Sequence, residues 1–137
     1  AIKIKSTRML LAYGFLRRVF EVFEIYKTSI DMITTSEVAV SITIDDPTYL
    51  TEIVKELRKF GIVEIEKEQS IICIVGDFLA ERKGYAMKIL KALKEIPIRM
   101  ISYGGSWYNI SVLIGTQQKR QALQALHGSL FNQKQIN

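Results

Sequence analysis

The stretch VAVSITIDDPTYLTEIVKELRKFGIVEI, residues 38–65, changes its hydrophobic period twice. The two changes divide it into three secondary-structure elements. Over 38–44, apolar residues alternate with small or polar ones, which is the period-two pattern of a half-buried strand. Pro47 follows two aspartates and marks a turn next to a helix start. Over 49–60, apolar residues recur at helical spacing until Gly61 ends the helix. The stretch predicts strand, helix and a second strand.

The flanking segments extend this pattern on both sides. Residues 2–6 alternate like a strand, and Gly14 precedes a helix with one apolar face. Residues 30–34 read as another strand, and the alternating segment 62–68 is a fourth. The order βαββαβ predicts an α+β fold of ferredoxin-like type, with two helices on one face of an antiparallel sheet.

The chain repeats itself with a period of about 70 residues, the kind of self-similarity that marks duplicated modules. The matched pairs are 2–6 with 72–76, Gly14 with Gly84, 30–34 with 98–102, and 40–44 with 110–114. We therefore predict two tandem modules, residues 1–69 and 70–137. The second module lacks its last strand, because only FNQKQIN remains after its second helix, at roughly 117–130.

Composition narrows the class of protein. With 48% hydrophobic and 24% charged residues, the chain resembles an ordinary globular protein, and no apolar run approaches the ~20 residues of a membrane span. It begins inside a strand without Met, which favours a piece of a longer protein. The lone Cys73 excludes an internal disulfide and predicts a buried strand cysteine, and a cytoplasmic location is expected.

The net charge of +5 is unevenly distributed. Residues 1–77 hold 10 Lys/Arg and 12 Asp/Glu, whereas residues 78–137 hold 9 Lys/Arg and 2 Glu. A basic second half fits either an anionic partner or contact with an acidic neighbouring domain, and we favour the domain.

Neither catalysis nor RNA binding is well supported. The single histidine, His127, has no serine or cysteine partner in a recognisable constellation, and no phosphate-binding glycine loop is present. RNA-binding sheets of this topology need aromatic residues on their central strands. Trp107 and Tyr108 stand only at the start of a strand, so nucleic acid is an unlikely partner.

A small zwitterion fits the residues better. The helix after Gly14 has no Ser, Thr, Asp or Asn at its start, so its first N–H groups are free to receive a carboxylate. Asp31 begins the next strand, and Ser36 and Glu37 follow that strand; acidic side chains suit an ammonium group. On these residues alone, an ordinary turn at 34–37 with a solvated Glu37 is the slightly favoured interpretation.

Three segments resemble one known family. STRMLLAYGFLRRVFEVF (6–23) followed by IDMITTSEVAVSITID (30–45) is similar to the regulatory region of aspartate kinase, of the lysine-sensitive type. IRMISYGGSWYNISVLI (98–114) resembles the second module of that region. The region is a tandem pair of ACT domains, which are βαββαβ modules that bind amino acids.

The resemblance implies allosteric feedback inhibition of ATP-dependent aspartate phosphorylation. The kinase domain, with its ATP and Mg, lies outside this sequence, which is expected to hold no catalytic residue, metal or cofactor of its own. The implied partners are an end-product amino acid, the protein's own kinase domain, and a second copy that pairs through the first ACT module. The family's second module borrows its missing strand from upstream of the first.

The resemblance also implies an effector site in the first module. Carried over position by position, it comprises Met9, Gly14, Phe15, Leu16, Ile30, Asp31, Ser36 and Glu37. The backbone at 14–16 would hold the carboxylate, while Asp31 and Glu37 would face ammonium groups. Ala12 stands where lysine-sensitive members often have serine, which removes one hydroxyl contact.

The second module lacks these acidic groups, since Arg99 replaces Asp31 and YGGSW replaces the polar turn. We therefore expect that module to be structural, and expect lysine rather than threonine as effector because two carboxylates suit two ammonium groups. The alternatives are a basic ferredoxin-like module that binds RNA or a protein partner, and the ACT pair of another allosteric enzyme with threonine as effector.

Overall fold

The structure, a computed structural model, describes residues 1–6, 13–76 and 83–131. The chain divides into two compact units, Ala1–Lys67 and Glu68–Asn137. The division falls two residues before the module boundary that the repeat predicts. Gln69, the last residue of the first predicted module, already pairs with Gly115 in the second sheet.

The first unit has six elements in the order βαββαβ. They are β1 (Ile2–Ser6), α1 (Phe15–Ile25), β2 (Met32–Thr35), β3 (Ala39–Thr43), α2 (Leu50–Leu57) and β4 (Gly61–Ile65). The strands form one antiparallel sheet in the order β2-β3-β1-β4. The α+β fold class that the sequence predicts is confirmed.

The second unit repeats this arrangement without a fourth strand among the described residues. It contains β5 (Gln69–Val75), α3 (Tyr85–Ala92), β6 (Ile98–Tyr103), β7 (Asn109–Gly115), a 3-10 turn (Thr116–Gln118) and α4 (Lys119–Phe131). Its sheet has the order β5-β7-β6, so β5 is an edge where the equivalent β1 is central.

Each core lies between a sheet and two helices. In the first unit, alternate residues of β1 and β3 point toward α1 and α2, because the register pairs Ile2 with Ile42 and Ile4 with Val40. The buried cluster is Ile2, Ile4, Val19, Val22, Phe23, Val40, Ile42, Ile53 and Leu57. Complete burial of such a side chain contributes about 1.5–3 kcal/mol. Because this cluster contains residues of both α1 and α2 together with the inward residues of β1 and β3, both helices pack on the same face of the sheet, as predicted.

Two details of the fourth strand differ from the expectation. The segment 62–68 does not continue as a strand to its end, because β4 stops at Ile65 and Glu68 has a positive φ of 54°. The helix before it ends at Leu57, and Gly61 is already the first residue of β4. A Cβ at Gly61 would lie 2.9 Å from the Lys5 carbonyl oxygen, so glycine is required by the close approach of β1.

The turn before α2 contains a local hydrogen-bond cluster. The Thr48 hydroxyl and backbone N–H both donate to the Asp46 Oδ1, at 2.5 and 2.9 Å. These two bonds hold the pKa of Asp46 below its usual range. The predicted turn at DDPT is therefore present, with Pro47 two residues before Tyr49, the residue that caps α2.

The prediction of a buried Cys73 is wrong. Burial alternates along β5, and Ile72 and Ile74 take the inward positions of the core while Cys73 is exposed on the opposite face. Alternation alone could not decide this, because three apolar residues in succession leave the inward face undetermined. No helix of the described ranges is long and apolar enough to cross a membrane.

Candidate functional site

The first turn of α1 is open to an anion. Gly14 caps the helix in the left-handed conformation, with φ 83° and no side-chain hydrogen bond. The Arg18 N–H donates to the Gly14 carbonyl at 3.0 Å, so the N–H groups of Phe15, Leu16 and Arg17 precede the first bond of the helical ladder. The turn has no acidic residue, and its two exposed arginines strengthen the positive potential of the helix end.

An aromatic contact holds this turn in place. The Phe15 and Phe60 rings meet edge to face, with centroids 5.9 Å apart and planes at 81°. The Arg18 guanidinium carbon lies 4.2 Å from the centroid of the same Phe60 ring. Phe60 immediately precedes Gly61, which pairs with Ser6 at the end of β1. The start of α1 therefore lies at the end of the sheet where β1 finishes.

The polar hairpin between β2 and β3 lies at the same end. The Ser6 N–H donates to the Val38 carbonyl at 3.0 Å, which attaches the hairpin to the end of β1. Ser36 closes the turn: its N–H donates to the Ala39 carbonyl at 2.8 Å, and its hydroxyl accepts the Ala39 N–H at 3.2 Å. Glu37 is exposed. The hydroxyl of Ser36 thus has a structural role within the turn.

Asp31 lies at the opposite end of β2. The Asp31 N–H donates to the Thr43 carbonyl at 2.9 Å, and the Met32 N–H donates to the Thr43 hydroxyl at 2.9 Å. Ile30 packs against the first core, whereas the Asp31 side chain is exposed. At ~3.3 Å per residue, Asp31 and Ser36 are separated by about 16 Å along the strand.

Within one copy, the structure brings together only part of the predicted site. Gly14, Phe15, Leu16, Ser36 and Glu37 share one end of the first sheet, while Ile30 and Asp31 occupy the other end. Met9, the remaining predicted residue, lies outside the described residues, as does Ala12. Strand direction alone separates the two acidic groups, since β2 runs from one end of the sheet to the other.

Helix α1 also presents an exposed apolar pair that the sequence analysis did not recognise as a surface feature. Leu16 is 42% exposed and Phe20 is 44% exposed, and they are one helical turn apart on α1. The signal in the sequence was the presence on α1 of two apolar residues, Leu16 and Phe20, outside the buried stripe of Val19, Val22 and Phe23. In the same unit β2 is an edge strand, and exposed apolar side chains and open strand edges are both features of subunit interfaces.

The equivalent place in the second unit is chemically different. Gly84 caps α3 in the left-handed conformation, with φ 77°, as Gly14 caps α1. The Gly76 N–H donates to the Tyr108 carbonyl at 2.9 Å, which matches the bond from Ser6 to Val38. An exposed Trp107 takes the hairpin position, and Arg99, the second residue of β6, is also exposed. The places that hold Glu37 and Asp31 in the first unit therefore carry no acidic group here.

A groove of about 910 Å³ runs beside β5 in the second unit. Its walls come from the edge of β5 and from α4, and they include Ile74, Leu126, Leu130 and Phe131. In the first unit, β4 occupies the corresponding position beside β1. The groove therefore lies beside the strand that is equivalent to β1, on the edge that remains open among the described residues. Among the described residues, no cluster of His, Cys, Asp and Glu could hold a metal ion.

Comparison with known proteins identifies the modules. Residues 72–130 match the family model described as ACT domain. A solved structure from Porphyromonas gingivalis W83, provisionally assigned as a C-terminal regulatory domain of aspartate kinase, is 49% identical with a TM-score of 0.87. The alignment covers 96% of this chain and 90% of that one.

Longer aspartate kinases are also similar. Escherichia coli aspartokinase III, solved with lysine and aspartate in its T-state, is 33% identical over 95% of this chain and 30% of its own, with a TM-score of 0.83. Chloroplastic aspartokinase 3 of Arabidopsis thaliana is 35% identical over 95% of this chain. The chain spans about a quarter of that relative's length. The chain belongs to the family of C-terminal ACT regulatory regions of aspartate kinases.

Proposed function

We propose that this chain is the feedback sensor of an aspartate kinase, and that lysine binds its first module. The observation that carries the proposal is the open first turn of α1, which lies at the same end of the sheet as Glu37. A carboxylate-binding helix end beside an acidic side chain suits the two charges of an amino acid. Escherichia coli aspartokinase III, 33% identical, was solved in complex with lysine and aspartate.

The complete site needs two copies of the chain. β2 is an edge of the first sheet, and antiparallel pairing of two β2 edges about a two-fold axis would reverse one strand relative to the other. That arrangement brings the partner subunit's Asp31 toward Ser36 and Glu37. The same contact would cover the exposed side chains of Leu16 and Phe20. We therefore propose a homodimer through the first modules, with each site shared between subunits.

Lysine has a group for each part of such a site. Its carboxylate would accept hydrogen bonds from the N–H groups of Phe15 and Leu16. Its two ammonium groups would pair with the carboxylates of Glu37 and the partner subunit's Asp31. Threonine has one ammonium group and would leave one carboxylate unmatched. Lysine is therefore our preferred effector over threonine.

Inhibition follows from the shared site. A ligand shifts an equilibrium between two states only by its difference in affinity for them. A site that is complete in only one dimer arrangement supplies that difference, for which a coupling free energy of about 1–3 kcal/mol is typical. The kinase domain, with ATP and Mg, would belong to the rest of the protein, and none of the residues of this chain is assigned to them.

The second module has a structural role in this proposal. Its groove beside β5 has the place and the apolar lining for one more strand, and the family resemblance assigns that strand to a segment upstream of the first module. Such a strand would pair the open backbone edge of β5, which otherwise favours aggregation.

A thermal-shift titration with lysine, threonine, methionine and a matched salt tests the proposal. An effector at 100 times its Kd adds about 2.7 kcal/mol to the free energy of unfolding. We expect a shift with lysine that is abolished by Asp31→Ala and retained by Arg99→Ala, the corresponding position of the second module. Absence of a shift with all three amino acids would refute the sensor function.

A further inference from the structure

Phe60 contacts the first two turns of α1 from outside that helix. It lies between α2 and β4, is half-buried, and touches both Phe15 and Arg18. These two residues are three positions apart and face the same side of the helix. One ring therefore restrains the start of α1 through an edge-to-face contact and a cation–π contact.

Backbone contacts on both sides of Phe60 fix its position. Its N–H donates to the Leu57 carbonyl at 3.2 Å, which fixes it to the end of α2. The next residue, Gly61, pairs with Ser6 and approaches β1 so closely that a Cβ would meet the Lys5 carbonyl oxygen at 2.9 Å. The ring is thus held by both α2 and the sheet.

The start of α1 needs such an external restraint. Gly14 provides no side-chain cap, and the first three N–H groups of the helix lack carbonyl partners within it. Hydrogen bonds weaken steeply as the angle at the hydrogen closes, so a turn that binds a carboxylate must keep its N–H groups aligned.

We infer that Phe60 is a positioning residue for the effector's α-carboxylate. It touches no ligand atom; it orients the turn that contains Phe15 and Leu16, whose N–H groups bind the carboxylate. This inference rests on the proposed sensor function and adds to it a residue from the connection between α2 and β4. Phe60 therefore governs recognition of the carboxylate but not of the ammonium groups.

The fold contains a matched control at the other end of the same helix. The Tyr26 and Tyr49 rings also have centroids 5.9 Å apart, and they join the end of α1 to the start of α2. Replacement of Tyr49 removes an aromatic contact with the same centroid separation, but this contact is at the end of α1. The first turn of α1 is therefore left unaltered. Phe60→Leu and Tyr49→Leu are therefore compared in the full chain.

The experiment measures the Kd of L-lysine and of L-lysinamide, which lacks the carboxylate charge, by isothermal titration calorimetry. Because charge-assisted hydrogen bonds are about twice as strong as neutral ones, we expect the unsubstituted chain to prefer lysine by about tenfold or more. Phe60→Leu should reduce this preference severalfold, whereas Tyr49→Leu and Phe60→Tyr should retain it. Circular dichroism establishes that each variant is folded.

If Phe60→Leu weakened the binding of lysine and of lysinamide equally, the inference would be overturned, because Phe60 would then have a general structural role. An unchanged preference would overturn it as well. The unsubstituted chain separates these results from failure of the proposed function: if it binds neither lysine nor threonine, the sensor function itself is wrong. If threonine alone binds, threonine and threoninamide form the test pair.

Discussion

Thr43 accepts one hydrogen bond from the backbone of Asp31 and one from the backbone of Met32, at the end of the edge strand. Its carbonyl accepts the Asp31 N–H at 2.9 Å, and its hydroxyl accepts the N–H of the next residue, Met32, at 2.9 Å. Thr43 is 4% exposed, and among the described residues no other polar residue is buried. A buried hydroxyl that orients an acidic residue of the proposed site has consequences for both stability and binding.

Thr43→Val should destabilise the first module and weaken effector binding. The change keeps the shape of the side chain but leaves the buried Met32 N–H without its acceptor, which costs about 1–3 kcal/mol. Denaturant unfolding measures the stability, and calorimetric titration with lysine measures the Kd. Thr43→Ser keeps the hydroxyl and is the control. Equal Kd values for the valine and serine variants would contradict the proposed role of Thr43.

Gly14→Ala and Gly84→Ala should separate stability from binding. Both glycines cap a helix with positive φ, 83° and 77°, and a Cβ at either position meets no atom within 4 Å. Each substitution should therefore cost about 1–2 kcal/mol from the left-handed backbone alone. Only Gly14→Ala should weaken the binding of lysine, because it displaces the N–H groups of Phe15 and Leu16. Similar lysine affinities for both variants would place the carboxylate elsewhere.

The double substitution Leu16→Lys with Phe20→Lys should dissociate the proposed dimer. Both side chains are more than two-fifths exposed in the single chain, and opposed lysines at a two-fold interface would repel each other. Sedimentation velocity should show a monomer, and lysine binding should be lost because the site is shared. The control is Met87→Lys with Leu90→Lys on α3, where both side chains are also exposed. A dimer that survives the first pair would locate the interface elsewhere.

Gly61→Ala should destabilise the first unit more than Gly105→Ala destabilises the second. A Cβ at Gly61 would lie 2.9 Å from both the Ile4 Cγ2 and the Lys5 carbonyl oxygen, whereas one at Gly105 meets nothing within 4 Å. Overpacking of this kind costs about 1–3 kcal/mol, against a change within about 0.5 kcal/mol at an open surface position. Chemical denaturation measures both. Comparable stability losses would show that β1 and β4 can separate without cost.

Much of the fold could be predicted from local pattern. The alternation in β3 and the apolar stripe of α2 are properties of neighbouring residues, and they identified strands and helices. The repeat of about 70 residues can be read from the sequence alone, and it identified the duplication. The sequence pattern could not predict the inward face of β5. Ile72, Cys73 and Ile74 are all apolar, and the choice between the two faces is made by packing against α3 and α4.

The candidate site divides in the same way. The sequence by itself determined the residue types: an uncapped helix start after Gly14, and acidic groups at Asp31 and Glu37. Only the tertiary structure decided which of them meet, because hydrogen bonds between distant strands place Ser36 and Glu37 beside the end of β1 and anchor Asp31 to Thr43 at the other end. Strand order, which depends on pairing across the whole sheet, leaves β2 at the edge.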